Sequence, residues 1–418
     1  MLSSRHCLAV LSLLITSQTI ADSGDPVAVR RWPAGAISVE TMWDLNLVVD
    51  ITGNASQELK DTADQVVTFD SITEHVLHRP ANSEKPQWKP LSKQAKKTEN
   101  AVVVKSLMAD KAPSAWGIQV LVDGVSILYI DAADLPQDIV KATESLSPQD
   151  VVVIYFAELK TLKSLDFAPM LKALAPQKVI INLTPKSDDD ERAVQAAIAA
   201  KGEVVSSTHN TLAIATRSNA KTNPQLYTLS EAPRSMPKEL ANLFARMEKS
   251  CAASQKVFAK LSTEQMNWKP SNGTHTPRWN TEHMMGRQLL FFSQIYAKID
   301  PSMTAINLNP KQMPDDYQYA HADWTGAEEA RQMQRVSKFT RRFAYLIDDL
   351  NVNRRAPGSR WPSLKALIQQ MERHYSEHTS NTVKKFDLPD WPKLDPATTT
   401  FLVVMTTRKV APLLWRHT

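Results

Sequence analysis

The sequence predicts an α/β domain followed by an all-α domain, and three observations support this fold class. Between about residues 35 and 216, short runs rich in Val and Ile alternate with helical segments. From about residue 235 onward, apolar residues recur every three or four positions, which is the period of an amphipathic helix. A chain of 418 residues also exceeds one ordinary hydrophobic core, so two domains are expected.

The first 21 residues have the pattern of a secretory signal peptide. A short basic start precedes an apolar core at residues 8–15, and small residues lead to an expected cleavage site near Ala21. We therefore expect an exported protein, periplasmic or secreted. The alternative is an N-terminal membrane anchor, but the apolar run is short for a bilayer. After cleavage Cys251 is the single remaining cysteine, so no intrachain disulfide is expected.

Strand-like runs dominate the first half of the chain. Seven of them cover residues 43–51, 64–69, 100–107, 117–130, 150–156, 178–183 and 202–216. Residues 122–124 predict a hairpin turn inside the fourth run. Segments 165–175 and 189–202 predict helices, and the second begins with acidic residues and ends at Gly202, as a helix N-terminus and C-cap prefer.

Four longer segments predict the helices of the second half, at residues 237–262, 281–299, 326–350 and 361–386. Each has one apolar stripe, and together they predict a four-helix bundle over residues 236–392. Cys251 lies on the stripe of the first helix, so we expect it to face the core. The polar residues 217–235 predict a linker, and residues 393–418 form a tail without an assigned role.

Composition argues against several classes of function. The net charge of +5 is small for this length and there is no long basic run, so nucleic-acid binding is not indicated. The chain has no G-x-G-x-x-G, Walker A or G-x-S-x-G pattern. After the signal peptide no segment is apolar enough over sufficient length to cross a membrane. The oligomeric state cannot be predicted from these features.

Two histidines continue the apolar stripe of the fourth predicted helix. His374 and His378 follow Met371 on the face that begins at Leu364, and they lie one helical turn apart. Burial of two imidazoles is unfavourable unless their ring nitrogens have partners. A divalent metal ion would serve both rings, because an i,i+4 histidine pair can offer two ligands. The alternative is a solvated or hydrogen-bonded pair.

A third histidine, His283, lies at the start of the second predicted helix, with Asn280 or Thr281 as the expected N-cap. Three histidine ligands leave one coordination position open, which is typical of a catalytic metal site. Glu377 is a candidate base beside a bound water, and the alternative for it is a solvated helix charge. His275 and His321 lie in polar stretches where exposure is expected.

Residues 236–392 resemble the DinB/YfiT-like superfamily of four-helix metalloproteins. The resemblance rests on "LSTEQMNWKPSNGTHTPRWNTEHM", similar to the family's connection between its first two helices, and on "HYSEH", similar to its paired histidines. It implies that His283, His374 and His378 are ligands of zinc or nickel. Family members usually place the second-helix ligand eight residues after the opening Trp, which here is Arg287 rather than His283. Members include thiol-dependent transferases and isomerases, although export would separate this chain from the cytoplasmic thiol pool.

The α/β half resembles the metallo-β-lactamase-like hydrolases more distantly. The segment "AWGIQVLVDGVSILYIDAADL" is similar to a strand pair of that family that leads into a metal-site Asp. The resemblance covers residues 35–216 and implies an αββα sandwich. The positions of the family's metal-binding motif hold residues that do not form such a site, namely Phe156, Glu158, Lys160 and Thr161. We therefore expect this half to be degenerate, in the sense that it has lost the family's metal site. Asp131, Asp134 and His209 remain as isolated candidate ligands, and His75 and His78 are candidates for an unrelated site.

Two functions remain open from the sequence. The first is an exported metalloprotein whose bundle catalyses a hydrolytic or group-transfer reaction on an unknown small molecule. The second is a non-catalytic binding protein that retains two degenerate enzyme folds. The metal content of the purified protein distinguishes the two.

Overall fold

A computed structural model describes residues 26–393. The positions that it leaves undescribed within this range are 43, 70–73, 92–100, 109–114, 123, 137, 145, 147, 184–187, 215–223 and 308–320. The predicted signal peptide and all but the first residue of the predicted tail therefore lie outside the described residues.

Fourteen strands are present in the described part of the first half. They are β1 (Val27–Arg31), β2 (Ile37–Glu40), β3 (Asn46–Val49), β4 (Gln65–Val67), β5 (His75–His78), β6 (Gln87–Pro90), β7 (Ala101–Met108), β8 (Ala115–Val122), β9 (Val125–Asp131), β10 (Val151–Tyr155), β11 (Lys178–Asn182), β12 (Val204–Ser207), β13 (Thr211–Ile214) and β14 (Gln225–Leu229). Alternating and continuous runs of Val, Ile and Leu form most of them, since branched side chains pack well on a pleated surface.

The strands form two sheets. The smaller sheet has the order β13–β1–β2–β3–β4 and is antiparallel except between β3 and β4. The larger sheet has the order β12–β14–β11–β10–β9–β8–β7–β5–β6. Its pairs are parallel from β12 to β9 and antiparallel from β9 to β6.

Ten α-helices are present among the described residues. They are α1 (Gln57–Thr62), α2 (Ile139–Glu144), α3 (Leu159–Ser164), α4 (Ala168–Leu174), α5 (Asp188–Ala199), α6 (Lys238–Phe258), α7 (Thr263–Asn267), α8 (Pro277–Ile299), α9 (Gly326–Arg342) and α10 (Leu364–Val383). Among the described residues, no helix combines the length and apolar character that a membrane crossing requires.

The two sheets pack face to face and helices cover their outer faces. Val29 and Val49 from the smaller sheet share one core with Val104, Ile127 and Val153 from the larger sheet. A second core lies between the larger sheet and the helices α2 to α5, and a third, smaller one lies beneath α1. The predicted αββα sandwich is confirmed.

The second half is a four-helix bundle formed by α6, α8, α9 and α10, with the short α7 between the first two. Phe244, Phe292, Phe339 and Leu367, one from each long helix, are buried in its core. Cys251 faces the same core, as its place on the apolar stripe predicts. The all-α half of the predicted fold class is therefore confirmed.

The bundle packs on the outer face of the smaller sheet. Ala28 and Ala213 of this sheet belong to the bundle's hydrophobic core. Arg342 of α9 lies 2.7 Å from the Glu40 carboxylate and donates a second hydrogen bond of 2.7 Å to the Thr41 carbonyl. Polar and apolar contacts therefore join the two halves along one seam.

Two features differ from the sequence-based expectations. Residues 225–229, within the predicted linker, form β14, which lies inside the larger sheet between β11 and β12. Helix α8 begins at Pro277, and its N-cap is Thr276 rather than Asn280 or Thr281. The Thr276 hydroxyl accepts a hydrogen bond from the Trp279 amide, and Pro at the first helical position suits a helix start. His283 therefore lies in the second turn of α8.

Candidate metal centre

Two helices of the bundle supply the three histidines. The apolar stripe of α10 places Leu367, Met371 and Tyr375 in the core, and His374 and His378 lie half-buried at its edge. Ser363 caps the start of α10 with a hydrogen bond from the Ala366 amide, so the helix is well defined upstream of the histidines.

His283 on α8 faces the pair on α10. One ring nitrogen from each of His283, His374 and His378 lies within 4.8 Å of the corresponding atom of the other two. The ring centroids are 5.0 Å apart for His283 and His374, 5.1 Å for His283 and His378, and 4.5 Å for His374 and His378. The structure therefore brings together the three histidines that the sequence singled out.

Hydrogen bonds orient only part of this cluster. The Nδ1 atom of His378 lies 3.0 Å from Asn280 Oδ1, and the Asn280 amide nitrogen donates to the Thr382 hydroxyl at 3.0 Å. With the amide nitrogen engaged, Asn280 offers its oxygen to His378, which places the proton on Nδ1 and leaves the Nε2 lone pair available. The Nδ1 atoms of His283 and His374 are buried and have no hydrogen-bond partner among the described residues.

The three imidazoles are neutral at pH 7. Burial, followed by repulsion from the neighbouring histidines, lowers the pKa of His283 to about 3. Burial and then His378 lower the pKa of His374 to about 3, and burial lowers the pKa of His378 to about 4. Neutral imidazole is the form that binds a metal ion.

Cationic groups surround the triad. Arg287 lies one turn after His283 on α8 and repels a proton on both His283 and His374, while Lys385 does so for His378. The local field therefore favours an anionic group at the triad.

A stack of three rings lines one side of the triad. Trp279 lies between His275 and His283, with ring centroids 3.6 Å and 4.5 Å away and interplanar angles of 8° and 12°. His275 is exposed, as expected from its loop position. The buried Trp279 ring therefore restricts the orientation of the His283 imidazole.

A buried ion-pair network beneath the triad holds the start of α8. Arg278 contacts the Glu329 carboxylate at 2.5 Å and donates to the Asn267 side chain and the Trp324 carbonyl. Burial, and then the Glu282 carboxylate, raises the pKa of Glu329. Sequence reasoning missed this network, because it joins α8 to the distant α9 and no local pattern indicates it.

The other bundle candidates lie apart from the triad. Glu377 is exposed on α10, so its proposed role as a base is not supported by a contact with the histidines. His321 is partly exposed, stacks on Trp324 with ring centroids 3.5 Å apart, and lies 3.2 Å from the Glu282 carboxylate. Neither belongs to the group of side chains whose ligand atoms could share one ion.

The candidates in the α/β half are dispersed. Phe156, at the first position of the degenerate motif, is buried in the core between the larger sheet and its helices. Asp131 accepts a hydrogen bond from the Ala133 amide, His209 lies 3.8 Å from Asp348, and His75 stacks on Trp88. Within the described residues these side chains do not converge on one point.

The comparisons with known proteins agree with the architecture of the helical half. Residues 246–380 match the family model of the DinB superfamily, a segment that contains α7, α8 and α9 and most of α6 and α10. All three histidines fall within the matched segment. The helical half is therefore similar to the DinB superfamily over this segment.

For the α/β half, the similarity is to a solved structure. This is a Thermotoga maritima protein assigned to the Zn-dependent hydrolases of the metallo-β-lactamase superfamily. The sequence identity is 12%, the TM-score is 0.30, and the similarity covers 49% of this chain and 98% of that chain. No curated protein matches the sequence.

Proposed function

We propose that the DinB-like domain binds one divalent metal ion, zinc or nickel, through His283, His374 and His378, and that it is a metal-dependent hydrolase or transferase. The observation that supports this proposal is the convergence of three neutral imidazoles within 4.8 Å. Imidazole suits both metals, and three protein ligands leave an open position for a substrate or water.

The donor set fits such an ion. Within the described ranges, the Nδ1 atoms of His283 and His374 are buried without a hydrogen-bond partner, which is unfavourable unless a bound ion or other ligand contacts these imidazoles. His378 presents Nε2 because Asn280 engages its Nδ1. When bound, a divalent ion would polarise a substrate oxygen or lower the pKa of a water molecule.

The chain's own residues would position the reactants. Asn280 holds the His378 ring, and Trp279 stacks on His283, so both imidazoles keep their orientation as a ligand enters. Arg287 and Lys385 provide positive charge close to the triad, and this favours a substrate that carries a negative group. The substrate class we propose is therefore a small anionic molecule.

Metal analysis of the full chain tests this proposal directly. The protein is purified without a polyhistidine tag, dialysed against metal-free buffer and analysed by inductively coupled plasma mass spectrometry. We expect about one zinc or nickel ion per chain. Protein that stays metal-free after incubation with either ion would contradict the proposal, and would favour the non-catalytic binding protein.

We also propose that the chain is exported, with cleavage near Ala21. The support is the basic start, apolar core and small-residue exit of the first 21 residues. N-terminal sequencing of protein from the periplasm or medium should return Asp22 or a neighbouring residue. Recovery of intact Met1 on cytoplasmic protein would contradict export.

A further inference from the structure

A cavity, which we call the seam cavity, lies where the two halves of the molecule meet. Its volume is about 250 Å³. The smaller sheet, the segment that leads into α6, and the end of α9 all contribute to its wall. The described lining residues are Arg30, Trp32, His209, Asn210, Thr211, Pro233, Arg234, Met236, Arg341, Arg342, Tyr345 and Asp348. The cavity is separate from the histidine triad, since no residue is shared.

Four guanidinium groups line the seam cavity, and most of the carboxylates that pair with them do not. The Glu40 carboxylate lies 3.1 Å from the Arg30 guanidinium and 2.7 Å from the Arg342 guanidinium. The Glu248 carboxylate lies 2.9 Å from the Arg341 guanidinium, and the exposed Asp349 carboxylate lies 2.6 Å from the Arg234 guanidinium. None of these three carboxylates lines the cavity, so most of the charged groups that face it are guanidinium groups, each paired with a carboxylate.

One carboxylate does line the seam cavity. Asp348 is buried, its Oδ2 atom lies 3.8 Å from His209 Nε2, and its Oδ1 atom is buried with no hydrogen-bond partner in the part of the chain that the structure describes. An unsatisfied buried carboxylate oxygen is unfavourable, and an O–H or N–H donor from a ligand would satisfy it. This end of the cavity therefore selects a donor, whereas the guanidinium groups select an anion.

Aromatic rings form much of the remaining wall. The Arg30 guanidinium lies 5.4 Å above the Trp32 ring, and His209 packs against Tyr345 with ring centroids 5.0 Å apart. Flat apolar surfaces beside charged groups suit a compact, partly apolar molecule. A cavity of about 250 Å³ has room for a ligand of metabolite size.

We propose that the seam cavity binds a small organic anion that has a carboxylate or phosphate at one end and an O–H or N–H donor at the other. Such a ligand would contact both halves of the chain at once. It would therefore stabilise the folded protein through their shared boundary, whether or not the triad holds a metal ion.

The probe is 4-hydroxybenzoate, which has both required ends and a flat apolar body. Titration calorimetry on the full chain should detect its binding. Benzoate lacks the donor, and 4-hydroxybenzyl alcohol lacks the anion, so each should bind at least tenfold more weakly. Arg341→Gln should also weaken 4-hydroxybenzoate binding at least tenfold, because it removes a charge from the wall while keeping a polar side chain. Arg234→Gln is a second test should Arg341→Gln fail to fold.

The matched control is Arg246→Gln. Arg246 is an exposed arginine of α6 that pairs with Glu372 and does not line the seam cavity. Its substitution should leave the affinity for 4-hydroxybenzoate unchanged. An equal loss of affinity in the control and in Arg341→Gln would overturn the proposal. The absence of binding by both 4-hydroxybenzoate and inorganic phosphate at 10 mM would also overturn it.

Discussion

Asn280 of α8 and His378 of α10 are joined by a 3.0 Å contact between Oδ1 and Nδ1. The Asn280 side chain is in turn anchored to Thr382, so the contact has a defined direction. Together, these two contacts determine which ring nitrogen of His378 faces His283 and His374.

Loss of this contact should weaken metal binding without unfolding the bundle. We expect Asn280→Ala to lower the affinity for zinc by about 10- to 100-fold, because the His378 ring loses its orienting partner. Competition with a chromophoric chelator measures the change. Asn381→Ala, at an exposed position of α10, is the matched control and should bind zinc as the unmodified chain does. Equal affinities in the two variants would show that the contact does not orient a ligand.

Neighbouring substitutions on α10 test which side chains bind the metal ion. His378→Ala should abolish stoichiometric zinc binding, because two imidazoles hold an ion far less well than three. Glu377→Ala should retain the ion, since Glu377 is exposed. Metal content and the circular dichroism spectrum are measured for both variants. If His378→Ala kept a full complement of zinc, the three-histidine site would be wrong.

The metal-free protein should lose stability in mild acid. Burial lowers the pKa values of His283 and His374 from 6.5 to about 3, so the unfolded chain binds protons that the folded chain excludes. Their contribution to stability is complete above pH 6.5 and is lost as the pH falls towards the folded values. Each histidine contributes a slope of up to about 1.4 kcal/mol per pH unit.

Urea unfolding of the metal-free protein at pH 7 and pH 5 measures this slope. His374→Gln, which cannot be protonated in this range, should show a smaller difference between the two pH values. A difference as large as that of the unmodified chain would mean that His374 does not contribute.

The Arg342–Glu40 ion pair should stabilise the contact between the two halves of the chain. Arg342 has a side chain only 5% exposed, so its removal leaves the partly buried Glu40 carboxylate with less compensating charge. We expect Arg342→Ala to lower the free energy of unfolding by about 3–5 kcal/mol. The exposed Arg246–Glu372 pair provides the comparison, and Arg246→Ala should change stability by no more than about 1 kcal/mol. Similar losses of unfolding free energy in the two variants would argue against a special role for the ion pair between the two halves.

Cys251 should resist thiol reagents in the native protein. Its side chain is 1% exposed, and burial raises the pKa of its thiol, so little thiolate is accessible. We expect slow reaction with Ellman's reagent in buffer and complete reaction in urea. Rapid labelling in buffer would contradict the packing of α6.

The sequence was most informative where local periodicity determines the structure. The stripe from Leu364 to Met371 predicted the inward side of α10, and with it the direction of His374 and His378. The start of α8 was misplaced, although Thr276 followed by Pro277 is itself a helix-start pattern. The placement of His283 relied on the family resemblance, since no local pattern specifies which helices become neighbours.

Long-range contacts explain what the sequence did not reveal. Asn280 meets Thr382, and Arg278 meets Glu329, across large separations along the chain. β14 was missed because its polar surroundings resemble a linker, and it becomes a strand through pairing with β11 and β12. Such pairing depends on the assembled sheet rather than on the strand's own composition.

The place of β14 in the larger sheet decides where the polypeptide can be divided. As far as the described residues show, β12 pairs only with β14, so a fragment that ends at residue 216 would leave β12 detached from its sheet. Such a fragment would also lose Glu231, whose carboxylate lies 2.9 Å from the buried Arg31. Expression of the two halves as separate proteins therefore calls for a division between Glu231 and the start of α6 at Lys238.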